Sequence, residues 1–267
     1  MQGMTAWNAA AYLKFGDERT RPCRDLAARV EVAAPARVID LGCGPGNSTA
    51  VLGERWPGAE ITGLDNSTEM LQKARADYPA RSDRQAALWV QGDIAQWAEE
   101  KGERFDVVFS NAALQWVPDH ATLFPRLLGR VAGGGALAVQ LPVYSDQPGQ
   151  RLIREVAHSA KWQARFTRAP VDWRAESVGF YYDVLASRTA RLELWETEYV
   201  HVVDGTQAVV EWYRATGLRP FLNALPTDAD RAEFVAEYHE ALQPHYRPQK
   251  DGRVLFPFRR LFVVACV

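Results

Sequence analysis

Three glycines at alternate positions, Gly42, Gly44 and Gly46, follow an apolar run ending in Asp40 within VIDLGCGPGN (38–47). Glycine is costly to order, so such a cluster marks backbone that needs positive φ or close approach to a ligand. The residues before it read as a strand and those after it as a helix. A loop in that setting turns the helix's N-terminal N–H groups toward a ligand resting on bare backbone, which points to a nucleotide-type molecule. A Walker loop is excluded, because no Gly-Lys-Ser/Thr follows. The spacing is GxGxG rather than the GxGxxG of dinucleotide-binding loops. Asp65 closes the next strand about twenty residues on, where a carboxylate accepts both hydroxyls of a ribose. Dinucleotide enzymes share that geometry, so the loop and Asp65 leave the cofactor open.

Two further polar residues stand at strand ends, Asp93 in QGDI and Asn111 in FSNAALQW. Asp93 is placed to accept an adenine amino group, with Ile94 against the ring face. Each alone reads equally as a helix cap or turn former. Four polar residues on four successive strand ends mark one crevice, since open α/β sheets bind ligands outside their strand C-termini. Cys43, the most reactive-looking residue of the loop, reads as a small spacer.

The elements that must position these residues follow from periodicity. Strands are expected at 36–41, 60–65, 87–93, 105–111 and 135–142, alternating with helices at 47–56, from Ser67 onward and at 120–131. Asn47 or Ser48 would cap the first of these helices, and Pro125 would bend the last or displace its start. This alternation implies a parallel sheet covered on both faces. Past Pro142 the pattern changes. Helices and loops are expected over 148–190, strands at 190–203 and 259–267, and two helices near 206–216 and 227–243. The expected fold is therefore α/β: a Rossmann-like, seven-stranded, mostly parallel sheet with helices on both faces and a helical cap inserted near the C-terminus. Residues 1–34 would form an arm and helix covering the cofactor site. Residues 35–267 would form the main domain, with cap segments at about 145–190 and 205–250, since long helical insertions between closing strands suit a lid.

Bulk composition narrows the classes. The 267 residues carry 31 Lys and Arg against 33 Asp and Glu, a net charge of −2, which offers no broad footprint for nucleic acid. Three cysteines, without CxxC or Cys/His ligand spacing, argue against a disulfide framework or structural zinc and fit a reducing cytoplasm. The N-terminus has no signal-peptide apolar core, and the tail LFVVACV is too short to span a membrane.

VIDLGCGPGN, GLDNS, GDI and FSNAALQW, in that order over roughly 35–141, resemble the class I S-adenosylmethionine-dependent methyltransferases. The flanks WNAAAYLKFGDERTRP (7–22), LQWVPDH (114–120), YYDVL (181–185), ATGLRP (215–220) and RLFVVA (260–265) extend the resemblance over nearly the whole chain, toward members that esterify small polycarboxylic acids. The resemblance implies that Gly42, Gly44 and Gly46 hold the methionyl part of S-adenosylmethionine, with Asp40 orienting the loop or the amino group. Asp65 would take the ribose hydroxyls, Asp93 and Ile94 the adenine, and Asn111 the region of the sulfonium, with Asn66 also on the cofactor. Arg19 would contact the cofactor from an arm that also carries Trp7, Tyr12, Phe15 and Arg21. Arg219, Arg260, Tyr181, Tyr182 and His201 would bind the acid, arginine forks matching carboxylates. A carboxylate is already ionised at neutral pH, so no catalytic acid or base is expected, only positioning by Asn111 and Trp116. No metal, nucleic acid or membrane is expected, and the chain would act as a monomer or weak homodimer. The competing readings are a methyltransferase for another acid or a hydroxyl acceptor, an NAD-dependent oxidoreductase, and a cofactor-binding protein without turnover.

Overall fold

The computed structural model describes residues 16–79, 86–143, 147–166 and 175–267. The chain divides into two compact units. One, the sheet unit, comprises Asp17–Pro142, Arg174–Thr197 and Arg260–Val267; the other, the cap unit, includes Val143–Trp173 and Glu198–Arg259. The expected first cap segment thus falls in both, because residues 174–190 group with the sheet.

Seven strands form one sheet in the order β3-β2-β1-β4-β5-β7-β6. They are β1 (Arg37–Leu41), β2 (Glu60–Asp65), β3 (Leu88–Gln91), β4 (Phe105–Asn111), β5 (Val131–Pro142), β6 (Arg191–Val203) and β7 (Val254–Cys266). The first five pair in parallel, and β7 runs antiparallel to β5. β1 and β4 lie in the middle because both their faces are buried: Val38, Ile39, Leu41, Val107, Val108 and Phe109 are almost wholly enclosed. The register is pinned at both ends of this pair. The Asp106 carboxylate accepts the N–H groups of Ala36 and Arg37 at 2.7 and 2.9 Å, and Ser110 Oγ donates to Leu41 O at 2.9 Å. Strand order reverses between β1 and β4, so the sheet opens a crevice at their C-terminal ends.

The connecting helices of the sheet unit are α1 (Gly16–Arg29), α2 (Asn47–Arg55), α3 (Thr68–Asp77), α4 (Ile94–Glu99) and α5 (His120–Gly129). Ser67 caps α3, its hydroxyl accepting the Met70 N–H; Asp93 and Asp119 cap α4 and α5 in the same way. α2 has Gly46, which has no side chain, as its cap residue; the expected caps Asn47 and Ser48 lie inside the helix, and Ser48 Oγ donates to Asp40 instead. Pro125 lies inside α5, which nonetheless begins where Asp119 caps it.

Helix α7 (Val178–Leu185) packs on α5 through a fully satisfied buried chain. His120 Nε2 lies 2.9 Å from Leu114 O, a carbonyl, so this nitrogen carries the proton and donates. Nδ1 therefore accepts from Tyr181 Oη at 2.7 Å, and that oxygen in turn accepts the Glu176 N–H at 3.1 Å. Phe124 closes on the Tyr181 ring with centroids 4.7 Å apart.

In the cap unit, α6 (Pro148–Ala157), α8 (Gly205–Arg214), α9 (Arg219–Ala224) and α10 (Asp228–Leu242) surround an aromatic core. Gly149 is its close point: its carbonyl accepts from Tyr238 Oη at 3.0 Å, and its N–H donates to Tyr246 Oη at 3.3 Å. A Cβ there would stand 2.2 Å from the Tyr213 ring. Among the described residues no helix is long and apolar enough to cross a membrane.

Tyr181→Phe keeps the ring and removes the bridging hydroxyl. It strands His120 Nδ1 and the Glu176 N–H, and should cost about 1–3 kcal/mol, read as a lower Tm in thermal melts. A raised acceptor KM with unchanged Tm would instead give the hydroxyl a binding role.

Candidate functional site

Asp40 is fully buried at the end of β1, and its Oδ2 accepts from Ser48 Oγ at 2.6 Å and Thr49 Oγ1 at 2.7 Å. Both donors sit on the first turn of α2, so one carboxylate ties the strand end to the helix start and shapes the loop between them. Burial pushes the Asp40 carboxyl up to about 6, with the two hydroxyls pulling it down and the nearby Asp65 charge raising it. Its Oδ1 has no hydrogen-bond partner.

The loop is held from the neighbouring strand as well. Leu64 O accepts the N–H groups of Gly42 and Cys43 at 2.7 and 3.1 Å. Asp65 Oδ2 accepts the Gly44 N–H at 2.9 Å, and its Oδ1 accepts that of Ser67 at 2.8 Å. Burial raises the Asp65 carboxyl, against the lowering effect of these N–H groups. Gly42 (φ +71°) admits no side chain: a Cβ would fall 2.2 Å from Ala113 Cβ, in the loop after β4, and 3.5 Å from Ile94 Cδ1. The loops after β1, β3 and β4 thus converge on Gly42. Gly44 (φ +54°) faces open space, with no atom within 4 Å of where its Cβ would be. That is the bare backbone face on which a ligand can lie.

Across the crevice, Asn111 is half-buried and its Oδ1 lacks a partner. Ala112, directly after it, takes a left-handed φ of +55°, a strained conformation for a residue with a Cβ. The strain is held by two bonds: Ala112 N–H donates to Gln140 O at 3.0 Å, and Gln115 Nε2 donates to Ala112 O at 2.7 Å. Trp116 ends the short 3-10 turn Leu114–Trp116, half-buried.

The structure therefore brings Asp40, the glycine loop, Asp65, Ile94 and Asn111 to one edge of the sheet. Asp93, exposed, uses Oδ1 to cap α4, accepting the Gln96 N–H at 3.0 Å. Asn66 is exposed, and its carbonyl accepts from Gln91 Nε2 at 3.4 Å. Cys43 is buried and its thiol pushed far up by burial, which keeps it protonated and unreactive. Arg260 is buried on β7 beside Pro142. Tyr181 is enclosed with its hydroxyl engaged, whereas Tyr182 is 56 % exposed. Arg219 and His201 belong to the cap unit. His201 is buried there, stacked on Trp212 with centroids 5.0 Å apart, and Arg219 is half-buried as the first residue of α9. Trp7, Tyr12 and Phe15 lie outside the described residues, as does the side chain of Arg19. Among the described residues no group of three or more His, Cys, Asp or Glu is placed to hold a metal ion.

Comparisons with known proteins agree with this geometry. A family model described as a methyltransferase domain matches residues 38–135, which include the whole crevice edge. The trans-aconitate 2-methyltransferase of Azoarcus sp. (strain BH72) is 48% identical over 262 residues, covering 98% of this chain and 99% of that protein. That of Methylobacterium nodulans is 49% identical over 263 residues, with 98% of each covered. Among solved structures, an S-adenosylmethionine-dependent methyltransferase from Thiobacillus denitrificans, in complex with S-adenosyl-L-homocysteine, superposes with a TM-score of 0.54. It is 16% identical and covers 97% of this chain and 98% of its own. The YcgJ protein from Bacillus subtilis gives 0.60 at 14% identity, with 91% and 97% covered.

Two variants test the loop. In Asp40→Asn the amide still accepts from α2 but cannot ionise. The parent's carboxyl has a folded pKa above its unfolded one, so this group's contribution to stability falls as pH rises from about 4 to 6. Asp40→Asn should gain on the parent at pH 8, and the gap should narrow by about 1–1.5 kcal/mol at pH 5 in paired melts. Gly44→Ala pays about 1–2 kcal/mol for its left-handed backbone but meets no neighbour, so it should fold. Its affinity for S-adenosylmethionine should fall at least about tenfold by calorimetry, since the methyl group fills the ligand's path.

Proposed function

The chain belongs to the trans-aconitate 2-methyltransferase family, and we propose that it methylates a carboxylate of trans-aconitate, or of a closely similar small polycarboxylic acid, at the expense of S-adenosylmethionine. What supports this reading is coverage. The relatives match 98% of the chain, the cap unit included.

The crevice edge fits the cofactor. Gly44 offers a bare backbone face, Asp65 a carboxylate fixed by two N–H groups with lone pairs left for ribose hydroxyls, and Ile94 an apolar surface beside Gly42. The partnerless oxygens of Asp40 and Asn111 suit the cationic end of the methionyl group. When bound, S-adenosylmethionine supplies an activated methyl, whose carbon gains a bond to a carboxylate oxygen as its bond to sulfur breaks, the electron pair staying on sulfur. The protein's share is to orient and to desolvate. No base is needed for an acceptor already ionised at neutral pH. An anion and a cation are consumed together, so water, which stabilises the separated charges, opposes the reaction. Arg260, on the sheet unit, would grip a carboxylate that does not react.

Incubation with S-adenosylmethionine and a panel of di- and tricarboxylates should yield a product heavier by one CH2 by mass spectrometry, most rapidly from trans-aconitate. Arg260→Lys should raise KM for the acid about tenfold or more while leaving cofactor affinity within about twofold. A panel without product, or NAD bound in place of S-adenosylmethionine, would overturn the reading.

A further inference from the structure

The partnerless polar atoms of the crevice form a row. Asp40 Oδ1, Asn111 Oδ1 and both Oε1 and Nε2 of Gln140 are buried without a hydrogen-bond partner. Asp40 pairs with Phe109, two residues before Asn111, and Asn111 pairs with Gln140 across β4 and β5. Residues paired across adjacent strands, or two apart in one strand, share a face of the sheet. The three side chains therefore stand on one face of three neighbouring strands.

Gln140 is the unexplained member. It has no exposure at all, and its amide is unsatisfied at both ends, whereas its backbone carbonyl has work, holding Ala112. Its neighbours in sequence on β5, Ala138, Val139 and Leu141, are apolar and equally enclosed. A leucine would pack here with no polar atoms to bury, so the fold gains nothing from an amide. Its partner on β7 is Phe262, whose ring stacks on Trp195 with centroids 4.7 Å apart. Two positions further along the same face, Pro142 pairs with Arg260, which is also buried.

We propose that Gln140 is a positioning residue for the acid, its Nε2 donating to the carboxylate that receives the methyl group while its Oε1, with Asn111 Oδ1, faces the cationic methyl donor. The inference rests on the functional reading above. Its location favours the acceptor over the cofactor: the glycine loop belongs to β1, and Gln140 stands two strands away, about 10 Å at normal strand spacing. The residue type follows from the charge change. The reacting carboxylate loses its charge on the way to the ester, so a guanidinium against it would hold the ground state more tightly than the transition state and slow the step. A neutral amide orients the same oxygen with less of that penalty. Arginine is suited to the carboxylates that keep their charge, and Arg260 stands next in the row.

Gln140→Leu and Gln140→Glu test this together. In Gln140→Leu, Tm should rise by about 2–4 K, kcat/KM for the acid should fall about 10–100-fold, and Kd for S-adenosylmethionine should stay within about twofold. Gln140→Glu should fall below Gln140→Leu at pH 8, where it repels the acid, and recover relative to the parent as pH drops to 6 and the new carboxyl protonates. A Gln140→Leu protein that is less stable than the parent and equally active would make the side chain structural and overturn the proposal. A rise in cofactor Kd matching the loss in kcat/KM would overturn it in favour of a cofactor contact. If the parent esterifies no acid at all, the functional reading fails separately. Gln140 is then judged by melts with trans-aconitate alone: a stabilisation of the parent that Gln140→Leu loses upholds an acid contact, and one that it retains, or none in either protein, overturns it.

Discussion

Everything at the crevice hangs on one buried carboxylate. Asp40 joins the last residues of β1 to the first turn of α2 through Ser48 and Thr49, and so fixes both ends of the loop between them. With its two ends fixed, the loop can be read from outside: Leu64 O and Asp65 take its N–H groups, and Ala113 closes against Gly42. The same burial that makes these bonds strong raises the Asp40 carboxyl to about 6, so ionising it at neutral pH costs stability. The fold accepts that cost at the point where its topology reverses, which is also where an α/β sheet places its ligand.

The unsatisfied row on the sheet face extends the same exchange. A native interior leaves few buried polar atoms unpaired, and here several lie on adjacent strands beside a strained Ala112. Strain and unpaired polarity together are what a preorganised site requires. Dipoles already oriented before the ligand arrives need no rearrangement during reaction. By contrast the chain from Leu114 through His120 and Tyr181 to Glu176 is complete, each donor matched to one acceptor. It has the signature of structure rather than of a site awaiting a partner, although both lie within the sheet unit.

That contrast sets what could be read from residues alone. The glycine loop, Asp65 and Asn111 were legible because strand–loop–helix chemistry is local: the residue types at a strand end carry their own context. Gln140 was not, since GALAVQLP reads as a buried strand with one polar residue, and only the register with Asn111 reveals what that residue stands beside. Tyr181 and Tyr182 are adjacent in an aromatic cluster, yet one is enclosed and the other faces out. Helix phase and packing decide that, and sequence type does not. Ser48, like Asn47, stands where a helix cap is expected, but a buried acid eight residues earlier claims its hydroxyl. β7 begins at Val254 rather than near 259 because Pro257 disguises VLFPF as a break. α9 was hidden in TGLRPFLNALP for a related reason, though Pro220 suits a helix's first turn.

The chemistry favours a site of amides and backbone over one of acids and bases. A nucleophile that is already ionised asks the protein for no proton transfer. The barrier then lies in stripping water from two opposite charges and aligning three atoms. Backbone N–H groups, glycine surfaces and neutral side-chain amides do both without adding a charge that would favour the reactants. Asp40, the only buried acid at the crevice among the described residues, has its carboxyl raised to about 6 and spends one oxygen on the fold itself. A site without a titrating catalyst still responds to pH through such a residue, by way of loop stability rather than proton transfer. Toward acid pH the two effects then oppose each other: protonation of the acid substrate lowers activity, whereas protonation of Asp40 between about pH 6 and 4 stabilises the strand end that holds the glycine loop.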